Sequence, residues 1–164
     1  MYIRILPTLT RANMAGGLEI HEAASTGDYD SLEEYLRSGK FDVNLKDEEW
    51  GKRTALHWAA AKGYVECLRL LLENGAKGTA RTDSGWTPAH FAAETGKLTV
   101  LRALFNAGIP IDRKDKCGDT PRRIAEMYGH TECVRFLESA EEEQRDNRAS
   151  RNSMYMSEDE DRES

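Results

Sequence analysis

No apolar run in this 164-residue chain approaches the roughly 18 residues of a membrane-crossing helix, so no membrane partner is expected. Cysteine is scarce. Cys67, Cys117 and Cys133 form no C-x-x-C pair, and an odd count of three argues against a disulfide framework. That usage suits a reducing compartment, so the expected location is intracellular, cytoplasmic and/or nuclear. Catalytic signatures are missing too. No G-x-G-x-x-G occurs and no serine sits in a nucleophile elbow. Gly51-Lys52-Arg53-Thr54 ends like a phosphate loop, but Lys46 stands where its first glycine is required and no strand precedes it. The carboxylates cluster mainly near the C-terminus, away from any candidate pocket, so neither an enzyme nor a cofactor is expected.

A basic balance is also absent. The net charge is −6, and the residues from Glu141 onward hold nine acidic and four arginine side chains, a balance of −5 that leaves −1 for residues 1–140. A near-neutral body offers no bulk attraction for a phosphate backbone, so no nucleic-acid partner is expected. The opening MYIRILPTL is too short, and too broken by Arg4 and Pro7, to be a signal peptide. Residues 1–18 hold two arginines and no acid, a faint mark of a mitochondrial presequence. Residues 1–17 are read instead as a flexible leader, with Met14 a candidate alternative start. Residues 141–164 lack aliphatic periodicity and are expected to form an acidic disordered tail, with Glu141 to Arg151 able to extend the last helix by a turn or two. In that tail Ser157 precedes Glu158-Asp159-Glu160, the pattern of an acidophilic-kinase site.

What the chain does have is a period. RTALHWAA begins at Arg53 and WTPAHFAA at Trp86, and His57 and His90 stand 33 residues apart, as do Gly63 and Gly96, and Gly96 and Gly129. A fixed period of this length marks stacked copies of one small unit. Gly27 aligns with these glycines, and five and eight residues after each one come apolar residues: Leu32 and Tyr35, Leu68 and Leu71, Leu101 and Leu104, Val134 and Leu137. Such spacing lays one stripe along a helix. Twelve residues after the first three glycines come Gly39, Gly75 and Gly108, and Glu141 stands at that place in the last unit. The segment before each first glycine reads as a shorter helix. Thr87-Pro88 and Thr120-Pro121 mark its start, because threonine caps orphan N–H groups and proline is tolerated in the first turn. The interval from His21 to His57 is 36, and the excess reads as loop insertions near Lys40-Phe41 and between Asp47 and Arg53.

The stretches 53–76 and 86–108 carry a resemblance to the ankyrin repeat family, with degenerate copies at 18–39 and 119–138. The resemblance implies an all-α solenoid of helix-turn-helix units joined by β-turn fingers. Four repeats are expected, at about 18–46, 47–81, 82–114 and 115–140, so that the repeat domain spans 18–140. Terminal units of a solenoid need polar outer faces. Glu34 in the first unit and Arg122, Arg123 and Glu138 in the last meet that need. His21, His57 and His90 recur once per unit, too far apart to converge on a metal, and the family uses this side chain to hydrogen-bond its own turn and its neighbour. Cys67 and Cys133 fall on the core stripe, and Cys117 in a finger.

The resemblance further implies a protein-binding scaffold or adaptor, working as a monomer through a concave strip of fingers and inner helices. Residue by residue the strip comprises Arg53, Ala61 and Lys62, then Arg81, Asp83, Ser84, Trp86, Glu94 and Thr95, then Lys114, Lys116, Asp119, Met127 and Tyr128. Arginine, tryptophan and tyrosine are frequent interface anchors, so Trp86 is placed near the centre of the contact. The alternative is that Trp86 packs on its neighbouring finger. Trp50 extends the strip, while Trp58 and Phe91 read as packing residues. The strip is basic by two, which favours a partly acidic protein partner. Two other roles are an inhibitor that masks a partner with help from the tail, and a substrate of an asparaginyl hydroxylase. For the latter, Leu36, Asp42 and Val43 precede Asn44 as in known targets.

Overall fold

Glycines set the lengths of the helices. In the computed structural model the backbone is described for residues 17–160 and the side chains for residues 17–155. The leader through residue 16, Met14 within it, and the side chain of Ser157 lie outside the described residues. The helices are α1 (Glu19–Thr26), α2 (Tyr29–Ser38), α3 (Ala55–Lys62), α4 (Val65–Glu73), α5 (Pro88–Glu94), α6 (Leu98–Asn106), α7 (Pro121–Met127) and α8 (Thr131–Glu160), and no strand occurs among the described residues. Gly27, Gly63, Gly96 and Gly129 follow the inner helices with φ between 70° and 82°, the left-handed stop conformation.

The odd-numbered helices pack on one another in chain order and form an inner row, while α2, α4, α6 and α8 form an outer row. The predicted stripe becomes the core: Leu32, Leu68, Leu71, Leu101, Leu104 and Leu137 are fully buried. Each such side chain contributes roughly 1.5–3 kcal/mol of hydrophobic stabilisation. Ala24, Ala59, Ala60, Ala92 and Ala93 are also fully buried, and their small size lets the inner helices approach closely. Cys67 and Cys133 are core thiols whose pKa values burial raises, whereas Cys117 is exposed.

The helix-ending glycines also make room for the next unit. A Cβ on Gly96 would stand 2.6 Å from the His130 ring, and one on Gly27 2.8 Å from the Tyr64 ring. His130 also ties its unit to the one before. Its Nε2 bonds the carbonyl of Glu94 in the preceding unit at 2.8 Å. The inserted stretch 47–53 closes on itself: the Asp47 amide donates to the Arg53 carbonyl at 2.9 Å, and the Trp50 amide to Asp47 Oδ1 at 2.7 Å. Lys52 inside it has a φ of 61°, unusual for a residue with a Cβ.

One expectation is corrected. The segment after residue 140 is not disordered where it is described: α8 continues through Glu141 to Glu160. The physical reason stands at position 141. In the earlier units Gly39, Gly75 and Gly108 take positive φ and stop the outer helix, whereas Glu141 keeps the helical course. The extension is then fastened to the body. Ala140 is buried, Glu141 Oε2 meets Arg122 at 3.2 Å, and Arg148 bridges to Asp112 at 3.0 Å. Gln144 grips the loop after α6 with both ends of its amide: Nε2 donates to the Ile109 carbonyl at 2.8 Å, and Oε1 accepts from the Ile111 amide at 3.3 Å.

Asn44 grips the corresponding loop after α4 in the same manner, through Gly75 O at 3.1 Å and Lys77 N at 2.8 Å. The extension of α8 thus supplies to the last full unit a clamp that an earlier loop supplies to the middle one. Gln144→Ala is expected to cost about 1–2 kcal/mol in urea unfolding of the full chain, because it strands the backbone groups around buried Ile111. An unchanged midpoint and slope would show that the extension does not brace the stack.

Candidate functional site

The inner face is built from the fingers and the inner helices, and hydrogen bonds between units set its spacing. Thr54 and Thr87 cap α3 and α5, and each cap includes a histidine three residues on. His57 Nδ1 accepts from the Thr54 amide at 3.0 Å, and His90 Nδ1 from the Thr87 amide at 3.1 Å. An accepting Nδ1 makes Nε2 the protonated nitrogen, and it donates forward into the next finger. His57 Nε2 reaches the carbonyls of Ala80 at 2.9 Å and Trp86 at 3.1 Å, and His90 Nε2 that of Asp119 at 3.0 Å. His21 Nε2 bonds Leu45 O at 2.8 Å, but Leu18 replaces the capping threonine, so the buried His21 Nδ1 has no partner among the described residues. The ladder expected for these histidines is therefore present, with its first rung half made. Among the described residues no group of three His, Cys, Asp or Glu side chains is placed to hold a metal ion.

Neighbouring fingers are also tied directly. The Asp83 amide donates to Gly51 O at 2.9 Å and the Lys116 amide to Ser84 O at 3.1 Å. Lys46 Nζ donates to Arg81 O, and the Arg81 guanidinium donates to Lys114 O, both at 2.8 Å. Lys46 was not among the strip residues read from sequence. Its role depends on how adjacent fingers line up, and no local motif records that.

Aromatic rings line the floor of the face. Trp50 meets Trp58 edge-on at 6.1 Å, and Trp86 meets Phe91 edge-on at 5.0 Å and stacks on His90 at 5.8 Å. Between the two pairs lies Arg53, its guanidinium 4.7 Å from the Trp58 ring and 4.6 Å from the Phe91 ring. Trp58 and Phe91 are 7% and 5% exposed, as expected of packing residues. Each cation–ring contact of this kind is worth about 1–2 kcal/mol when partly desolvated. Burial lowers the guanidinium pKa, and Asp47 and Glu94 oppose that shift.

Trp86 is half-buried, and its Nε1 donates to Asp115 Oδ2 on the following finger at 3.0 Å. The structure thus places it on its neighbouring finger, the alternative the sequence left open. Trp58 makes a weaker bond of the same type to Asp47, at 3.4 Å.

The remaining strip residues are distributed as follows. Lys62, Arg81, Asp83, Ser84, Thr95, Lys114 and Lys116 are exposed, while Ala61, Glu94 and Asp119 are half-buried. Met127 and Tyr128 are each 54% exposed at the end of α7. The Glu94 charge raises the Tyr128 phenol above its ordinary pKa, so these two side chains face each other. Asn44 is half-buried, with its amide engaged at both ends as described above.

A family model for ankyrin repeats (3 copies) matches residues 20–115, more than half of the chain. The chain belongs to the ankyrin repeat family. Its repeats constitute a protein–protein interaction module. Ankyrin repeat domain-containing protein 7 of Homo sapiens is 42% identical over 36% of this chain and 22% of its own length. DNA-binding protein RFXANK of Homo sapiens is 48% identical over 36% of this chain and 22% of its own. The 26S proteasome non-ATPase regulatory subunit 10 of Rattus norvegicus is 34% identical over 43% of this chain and 30% of its own. The matches therefore span less than a third of these relatives' own length. No helix among the described residues is long and apolar enough to cross a membrane.

Two outcomes follow from this geometry. Burial, reinforced by the charges of Arg53 and Lys46 against the two carbonyl contacts, lowers the His57 pKa from 6.5 to about 4. A folded-state pKa below the unfolded value means that stability is lost as pH falls from 6.5 toward 4, by about 3 kcal/mol for this one group. His57→Gln should lack that loss, so its stability deficit against wild type should narrow between pH 7 and pH 4 in urea titrations. A constant gap would show that the ring titrates normally. Trp86→Ala is expected to lower stability by about 2 kcal/mol, less than for a fully buried tryptophan. An unchanged thermal midpoint would mean that Trp86 does not hold the fingers together.

Proposed function

We propose that the chain is a scaffold or adaptor that holds a segment of a partner protein along the inner face of its ankyrin repeats. The observation that carries this reading is the exposure of Met127 and Tyr128 on an inner helix, in the unit whose finger presents Lys114 and Lys116. Large apolar side chains left in water at such a place are interface anchors in waiting, and cations around them favour an acidic partner. Trp86, Trp58 and Phe91 then act beneath the contact, keeping the fingers in position.

Two narrower roles draw on particular segments. An inhibitor would use the acidic C-terminal end of the chain together with this face. A substrate of an asparaginyl hydroxylase would offer Asn44, whose amide must first leave Gly75 and Lys77.

The test is affinity capture from native tissue with the wild type, Tyr128→Ala and Lys116→Ala, followed by measurement of affinity for the captured partner. Tyr128→Ala should weaken binding by about 2 kcal/mol while leaving the unfolding midpoint in place, since the side chain is largely solvated. Lys116→Ala should weaken it less, by an amount that shrinks at high salt. Capture indifferent to both substitutions would remove the inner face as the binding surface.

A further inference from the structure

Arg53 differs from the other cations of the inner face. Arg81 and Lys46 spend N–H groups on finger carbonyls, and Lys62, Lys114 and Lys116 are exposed. The Arg53 guanidinium carbon stands over two rings at once, 4.7 Å from Trp58 in α3 and 4.6 Å from Phe91 in α5. A ring contact of this kind engages a guanidinium through its face, and the N–H bonds lie in the plane of the group, at its edge. None of those nitrogens finds an acceptor among the described residues, yet none is sealed from water.

The two acids that act on Arg53 are committed elsewhere. Asp47 is 2% exposed and accepts from the Trp50 amide and the Trp58 indole. Glu94 faces Tyr128. The fold therefore fixes a forked donor in one orientation and provides nothing for it to hold. The rotamer entropy that an arginine ordinarily loses on binding is already lost in the free protein. A planar carboxylate is the group that such a fork accepts through two parallel hydrogen bonds.

We propose that Arg53 is a preformed receptor for a carboxylate of the bound protein, specifically an aspartate or glutamate side chain. This rests on the reading of the inner face as the binding surface and adds what is recognised there. Arg53 lies between the second and third units, with inner helices on both sides of it. A segment laid along the face passes it in mid-chain, so a side chain meets the fork rather than a chain terminus. Glu94, one turn from Phe91 on α5, sets a limit: a second acid in that direction is repelled, which favours a single acidic residue over an acidic run.

The experiment is an NMR titration of the full-length chain, following the Nε–Hε resonance of Arg53, assigned by its loss in Arg53→Lys. The probes are acetyl-Gly-Glu-Gly-amide, its glutamine counterpart, and acetyl-Gly-Gly-Gly with a free carboxyl terminus. A saturable shift of Arg53 with the glutamate peptide, smaller with the free terminus and absent with glutamine, is the expected result. A stronger response to the free terminus would overturn the side-chain assignment. An unmoved Arg53, or one moving no more than exposed Arg113, would make the stack purely structural. In the capture experiment Arg53→Lys should weaken the partner about tenfold, since lysine keeps the charge but not the fork. Capture lost in Tyr128→Ala but intact in Arg53→Lys would end the receptor and leave the inner face standing. Capture intact in both would end the reading beneath it.

Discussion

The two central units of this protein each depend on a buried, neutral imidazole that they cannot satisfy alone. His57 and His90 take one hydrogen bond from their own helix cap and give another to a carbonyl of the following finger. Inside an apolar stack an unmade bond of this kind costs about 1–3 kcal/mol. The position of each finger is therefore dictated by the helix before it. The leucine core supplies most of the driving force, but it is non-directional. The imidazole fixes the register at which one unit meets the next.

That dependence makes the two ends of the stack special. At the N-terminal end Leu18 stands where the threonine cap belongs, and the His21 ring is left with one nitrogen unmatched among the described residues. At the other end the fourth unit carries Arg123 at the ladder position, and Thr120 caps its backbone without any histidine. No further finger follows among the described residues, and the ladder stops there. The work of closing the stack passes to α8, through Gln144 on the preceding loop and Arg122 on Glu138 and Glu141. Polar side chains thus replace the missing neighbour at the place where a solenoid must turn from stacking to solvation.

Much of this was legible in the chain because the same physical demand recurs at one period. Helix-ending glycines and core leucines reappear in all four units and capping threonines in the last three, so a local signal weak in one copy is read again in the others. The outcome after residue 140 shows what periodicity hides. Composition there is polar and charged, and the helix is held by Gln144 and Arg148, whose partners lie 33 to 36 residues earlier in the chain. The missing glycine at Glu141 was visible, but its meaning depends on what lies beside the helix. Trp86 taught a similar lesson. Its residue type suggested a contact outward, whereas its direction is set by Asp115, an acceptor in the next finger.

The division of labour across the inner face follows from the same geometry. Indole and phenyl rings at 50, 58, 86 and 91 lie low, between helices and fingers, where they gain most by packing on one another. A side chain placed there is held by its neighbours, and it determines what stands above it. Arg53 is the clearest case, because its charge would be mobile on a bare finger and is directional between two rings. Stability and recognition are therefore stacked rather than opposed in this fold. The residues that hold the fingers at their spacing also hold the surface cation, so on the proposed reading a partner would meet a face already ordered before it arrives.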